Sequence, residues 1–129
     1  MIQPYNFTLP WPPSANRYWR HVGSRVIISK EARLYKNIVK KLSLTWNFEP
    51  IKDQLGVSIL VYPPDYRRRD LDNLLKITID ALNHTGLFKD DSQIISLFVQ
   101  KLHVIKPGLL DISLIPQSVN EDQFLDKIH

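Results

Sequence analysis

The stretch GVSILVYPP, residues 56–64, limits the fold more than any other. Its apolar and β-branched residues read as a strand, and Pro63-Pro64 stops it, because proline donates no ladder hydrogen bond. The pattern then changes period. Leu71, Leu74, Leu75, Thr78, Ile79 and Leu82 recur at helical spacing, and Gly86 is placed to end that helix, so a helix is expected over roughly Asp72 to Thr85. SQIISLFVQKLHVI comes next as another strand. A strand, a helix and a strand in succession call for a sheet with a helix packed on it.

The remaining segments extend this frame. YNFTL alternates and reads as a first strand, PWPPSAN as a rigid proline-set loop, and RYWRHVGSRVIIS as a hairpin turning at Gly23-Ser24. Ser29 is a helix N-cap with Glu31 in the first turn. Tyr35, Ile38, Val39, Leu42 and Trp46 form the inward stripe of that helix, and Arg33, Lys36, Asn37 and Lys40 the opposite, solvated one. LLDISLIP is the last strand, joined to its predecessor across Lys106-Pro107-Gly108. The expectation is an α+β (α/β) chain: a single mixed β-sheet with two main helices, in the order β-ββ-α-β-α-β-β, as one domain over 1–116 with a polar tail over 117–129.

Several classes drop out. The 129 residues include no cysteine, which removes disulfides, thiolate metal sites and a cysteine nucleophile, and fits a reducing cytoplasm. No Gly-rich phosphate loop is present, and the four glycines are scattered. Apolar runs fall far short of the ~20 residues of a membrane helix, and the proline-broken start is no signal peptide. A net charge of +4 is compatible with nucleic acid without requiring it.

RRRDLDNLLK, residues 67–76, sets three arginines against two aspartates. Residues two apart share a side only in extended chain, so joint ligation by Asp70 and Asp72 implies an extended segment through Leu71 and a helix starting at or after Asp72. Lys76 and Asp80 continue the polar face at four-residue steps. KDDSQI, residues 89–94, offers a third carboxylate. The helix is ~20 Å long, and the six residues from Thr85 to Asp91 span at most ~20 Å. Asp91 therefore reaches the pair only if the chain doubles back nearly extended. Each piece alone has an ordinary explanation as a cap, a surface ion-pair ladder or a turn; the combination on adjoining segments is what points to chemistry. Clustered carboxylates need a cation, and oxygen-only donors suit Mg²⁺ or Mn²⁺. Such an ion beside arginines fits phosphodiester hydrolysis, with Lys76 stabilising developing charge and Arg67, Arg68 and Arg69 gripping phosphates.

RRRDLDNLLK…D with GLFKDDSQI, and the opening LPWPPSANRYWRH, closely resemble the RusA family of Holliday junction resolvases, from about Phe7 to the final strand. The resemblance implies a homodimeric, Mg²⁺-dependent endonuclease (Mn²⁺ a substitute) that binds four-way junction DNA and makes paired symmetric nicks. Its metal-binding and catalytic carboxylates fall on Asp70, Asp72 and Asp91, and its catalytic lysine on Lys76. Asn73 either orients a ligand or is an ordinary first-turn residue. Arg17 and Arg20, beside the proline loop, are further DNA-contact candidates. His21, His84, His103 and His129 have no metal spacing. Trp11, Trp19 and Trp46 read as core or dimer surface before base-stacking platforms. The rivals are a junction-binding module without cleavage activity and a metal enzyme acting on free nucleotides.

Overall fold

The computed structural model describes residues 4–14 and 19–117. Arg17 and the tail beyond residue 117 lie outside them. Of residues 19–22 and 25–28, Arg20 and Trp19 among them, only the backbone is described. The chain forms β1 (Tyr5–Pro10), β2 (Trp19–Val22), β3 (Arg25–Ile28), α1 (Lys30–Ser43), β4 (Gln54–Tyr62), α2 (Leu71–His84), a 3₁₀ turn (Asp91–Gln93), β5 (Ile94–Lys101) and β6 (Leu109–Gln117). This is the expected mixed α+β order.

Local signals set most of these elements. Gly23 takes φ +61° in the two-residue turn that pairs Val22 with Arg25. Ser29 Oγ accepts from the Ala32 amide at 3.2 Å, capping α1. Tyr35 and Val39 point inward as expected and Ala32 joins them, but Ile38 stands 47% exposed at the rim of the stripe. Lys36 leaves the solvated stripe: α1 packs against α2, and its Nζ meets the Asp80 carboxylate at 3.0 Å. In α2, Ile77, Thr78, Ala81 and Leu82 are buried. The Thr78 hydroxyl is satisfied by the Leu74 carbonyl at 2.7 Å.

The sheet runs β1-β6-β4-β5. β6 is antiparallel to both β1 and β4, and β5 is parallel to β4. β5 and β6 are consecutive in sequence yet are not neighbours. Their connection crosses the end of β4, held by Leu102 N to Val61 O at 2.7 Å and Ile105 N to Pro63 O at 2.9 Å. Leu55, Val57, Ile59 and Val61 share one face with Leu110, Ile112 and Leu114 and with Phe7 and Leu9, all buried beneath the helices. Trp46 closes this core by stacking on Phe7 at 4.0 Å between centroids, which gives it a packing role.

The parallel pairing of β4 and β5 fixes where the polar loops fall. α2 must carry the chain from the Tyr62 end of β4 back to the Gln54 end before β5 begins. The loop leading into α2 and the turn leading out of it therefore lie at opposite ends of the sheet.

Candidate nuclease site

Pro63-Pro64 ends β4, and residues 65–69 form a compact loop. Asp65 organises it. Its Oδ1 accepts from the Arg67 amide at 2.9 Å and meets Arg69 Nη2 at 2.7 Å. Arg69 Nη1 also donates to the carbonyls of Asp65 (3.2 Å) and Arg67 (3.3 Å). The Arg69 guanidinium lies 5.3 Å over the Trp11 ring, and Lys101 Nζ, at the end of β5, donates to the Arg69 carbonyl at 3.3 Å. The hydrogen bond from the Arg67 amide, followed by the Arg69 contacts, holds the Asp65 carboxyl below its usual range.

The arginine run is thus divided. Arg69 is tied into the protein, with its side chain 24% exposed. Arg67 is 84% exposed and sits only loosely, at 3.8 Å, from Asp65. Arg68 is exposed as well. Arg67 to Arg69 form one wall of an open cavity of about 650 Å³. Trp11, Pro12 and Pro13 line it too, and Asp70 and Asn73 stand at the start of α2.

Asp70 occupies the N-cap position with extended backbone (φ −87°, ψ 128°), yet its carboxylate makes no capping hydrogen bond. An ordinary cap role therefore does not account for it. The helix begins at Leu71, one residue earlier than expected, so Asp72 lies in the first turn and only Asp70 is extended. The departure from helical dihedrals at Asp70 replaces the extended segment through Leu71. Asp70, Asp72, Asn73 and Lys76 are all exposed at this end of α2.

Asp91 is elsewhere. It opens the 3₁₀ turn whose Gln93 side chain donates to the carbonyls of Ile51 (3.0 Å) and Asp53 (2.9 Å), just before β4. β4 has nine residues; at ~3.3 Å per residue its two ends are on the order of 25 Å apart. The chain does double back after α2, but it comes to rest at the far end from Asp70. Among the described residues, no three Asp, Glu or His side chains lie close enough to hold one metal ion. The expected gathering of Asp70, Asp72 and Asp91 does not occur within one chain.

The turn carrying Asp91 is a capping box, which the D-x-x-Q spacing from Asp90 to Gln93 signals and which helix and strand periodicity miss. The Asp90 carboxylate accepts from the Ser92 amide at 3.1 Å, and Gln93 Oε1 accepts from the amides of Lys89 (2.8 Å) and Asp90 (2.9 Å). Asp90 is thereby occupied in structure while Asp91 is exposed. The hydrogen bond to the Asp90 carboxylate, together with their mutual repulsion, pushes the Asp91 carboxyl up.

The exposed pair Asp70 and Asp72 fits a hard divalent cation as a partial set. Magnesium is commonly held by one or two carboxylates, with water and substrate phosphate completing the sphere. The pair is an oxygen-only donor set bordered by cations that suit phosphate.

Comparison with known proteins identifies the family. The family model described as endodeoxyribonuclease RusA matches residues 10–112. Proteins named crossover junction endodeoxyribonuclease RusA from Shigella sonnei (42% identical over 115 residues) and Escherichia coli K12 (41% over 115) each align with 85% of this chain and 92% of their own length. One of the same name from Enterobacteria phage 82 is 41% identical over 112 residues, with the same coverage. With a family match that runs across both helices, β2 to β5 and the start of β6, the chain belongs to the RusA endodeoxyribonuclease family.

Proposed function

We propose that this protein is a divalent-metal-dependent endonuclease that resolves four-way DNA junctions by paired, symmetric nicks, working as a homodimer in the cytoplasm. The observation that carries this reading is the exposed pair Asp70 and Asp72. Asp70 lines one cavity with solvent-facing Arg67 and Arg68, and Asp72 follows in the first turn of α2, in a chain whose relatives bear the name crossover junction endodeoxyribonuclease.

The roles follow from placement. Arg67 and Arg68 attract the phosphates flanking the scissile bond, with charge-assisted and where geometry allows bidentate hydrogen bonds. Arg69, clamped by Asp65 and Trp11, gives that wall a fixed shape. Lys76 lies one helical turn beyond Asp72 and supplies positive charge toward the oxygen that develops charge as the bond breaks. Asn73, between them, orients a phosphate or a water. A bound Mg²⁺, or Mn²⁺ in its place, would be held by Asp70 and Asp72 and would supply an activated water and charge neutralisation. A junction has two equivalent strands to cut, so a two-fold dimer with one site per half matches its symmetry.

The test is a synthetic four-way junction incubated with Mg²⁺ and, separately, with EDTA. Paired nicks in opposed strands with metal only are the expected result. Binding without cutting in either condition replaces this reading with the junction-binding module. Turnover of free nucleotides but not of junctions replaces it with a small-phosphate enzyme.

A further inference from the structure

One aromatic side chain of the arginine loop takes no part in the core. Tyr66, between Asp65 and Arg67, is 92% exposed, more than any other large apolar or aromatic side chain among the described residues. Leu44, just past α1, follows at 76%, and Phe98, on β5, at 55%. Single exposed apolar residues are ordinary on a protein surface, so exposure alone assigns nothing. Two further features set Tyr66 apart.

The first is a fixed backbone. Pro63 and Pro64 lead into the loop with restricted φ. The Asp65 carboxylate accepts from the Arg67 amide at 2.9 Å, an Asx turn with Tyr66 at its centre. Arg69 Nη1 donates to the carbonyl on one side of Tyr66, that of Asp65 at 3.2 Å, and to the carbonyl beyond it, that of Arg67 at 3.3 Å. The same guanidinium is seated against Asp65 Oδ1 at 2.7 Å and over Trp11 at 5.3 Å. One clamped arginine therefore grips the chain on both sides of a ring left in water. Such a ring has only two side-chain torsions to lose when a flat group settles on it.

The second feature is its company. Arg67 is 84% exposed, Arg68 is exposed, and Asp70 lies four residues on. Among the described residues no guanidinium covers the Tyr66 ring, since the arginine in a cation–π contact lies over Trp11. Backbone-tracking cations beside an uncovered aromatic ring are the means by which proteins hold unpaired or unstacked bases. The Cα atoms of Tyr66 and Asp70 are at most ~14 Å apart, the length of about four base steps at ~3.4 Å each. A base on Tyr66 thus lies within a few steps of a phosphate at Asp70.

Continuous duplex covers both faces of every base pair, and opening a step costs unstacking energy. Where strands exchange at a four-way junction, the last pair of an arm can shed its neighbour and leave a face bare. Resting on the junction-acting reading above, we propose that Tyr66 is a stacking wedge that covers this bare base face while Arg67 and Arg68 hold the flanking phosphates. Phosphate contacts are available on any duplex; the bare face is available only where stacking is broken. Tyr66 thereby gives the loop a means of telling a branch from continuous DNA.

Binding in EDTA to a four-way junction and to a linear duplex of the same sequence tests this without cleavage. Tyr66→Ala is expected to weaken junction binding by roughly 5- to 150-fold, the range for losing one stacked base. Duplex binding should stay within about twofold, and Tyr66→Phe and Tyr66→Trp should bind junctions within about twofold of wild type. Equal losses on junction and duplex, no loss on either, or a Tyr66→Phe protein as weak as Tyr66→Ala each overturn the wedge. Thermal unfolding of each variant is expected to match wild type, as suits a side chain outside the core. A junction carrying 5-iodouracil at the exchange point gives a second readout. Irradiation should couple it to Tyr66, and an adduct that persists unchanged in Tyr66→Ala overturns the contact. Failure of the nuclease reading is separable: a wild-type protein that binds junctions but cuts none with Mg²⁺ sinks that reading, while the EDTA measurements still decide the wedge.

Discussion

At the Tyr62 end of β4, the acidic residues stand among cations. Asp65 is committed to Arg69 and the Arg67 amide, which leaves Asp70 and Asp72 exposed beside the remaining arginines. At the Gln54 end, the acidic residues stand among amides. Asp90 caps its turn, Gln93 ties that turn to Ile51 and Asp53, and Asp91 is left exposed. In both places a neighbouring carboxylate serves the backbone while another faces solvent. The means differ: one end is fastened by ion pairs and a cation–π contact, the other by the Gln93 amide's hydrogen bonds and a carboxylate cap. The first should respond to salt and arginine substitutions, and the second chiefly to loss of its amide.

The largest expected effect sharpens this comparison. Asp70→Asn should lower junction cleavage by on the order of 10³-fold or more, about 4 kcal/mol of barrier. Junction affinity should hold or tighten, since a negative charge facing phosphate is removed. Single-turnover cleavage with binding measured in EDTA checks both, and lost affinity would break the assignment of this end to chemistry. Next, Gln93→Ala removes the side chain that ties the Asp91 turn to β4 and should destabilise the fold by about 1–3 kcal/mol. Denaturant unfolding reads this, and a loss insensitive to salt would mark the fastening as uncharged.

How much of this was legible in the sequence depends on range. The Ser29 cap, the Gly23-Ser24 turn and the Pro63-Pro64 stop act within a few residues, and each element appears where those signals put it. The destination of Asp91 was not legible. Six residues after Thr85 suffice to reach either end of α2, and only the parallel pairing of β4 with β5, a contact between distant segments, decides between them. The division among Arg67, Arg68 and Arg69 was hidden for a similar reason. Trp11, which holds Arg69, is 58 positions away, and identical residue types in a row carry no mark of which one is clamped. The exposure of Ile38 and the ion pair of Lys36 result from where α1 meets α2, which a helical period alone does not give.

Smaller effects probe the charged end. Arg67→Ala should reduce the salt slope of log K for junction binding by about 0.9, one phosphate contact's worth of released counterion. Titration of binding across salt concentrations measures it, and an unchanged slope would return Arg67 to the solvated surface. Acidification should give the smallest effect. Asp65 is held below its usual range, so its pairing persists at neutral pH and is lost only as pH falls through that lowered value, beneath the ordinary aspartate value of about 3.9. Hydrogen exchange at the Arg67 amide should therefore accelerate on acidification, relative to the intrinsic rate, while the amides of Lys89 and Asp90, which bond to Gln93 Oε1, respond less.

Gly108, in the turn before β6, takes φ +94°, and a β-carbon there would come within 3.0 Å of Pro64 Cδ and 3.1 Å of two Trp11 side-chain atoms. The indole can settle against the arginine loop because nothing protrudes at position 108. A single missing methyl, 38 positions downstream of Asp70, thus sets the depth of the keyway in which the Arg69 guanidinium is seated, and through it the footing of every charge that the loop offers to DNA.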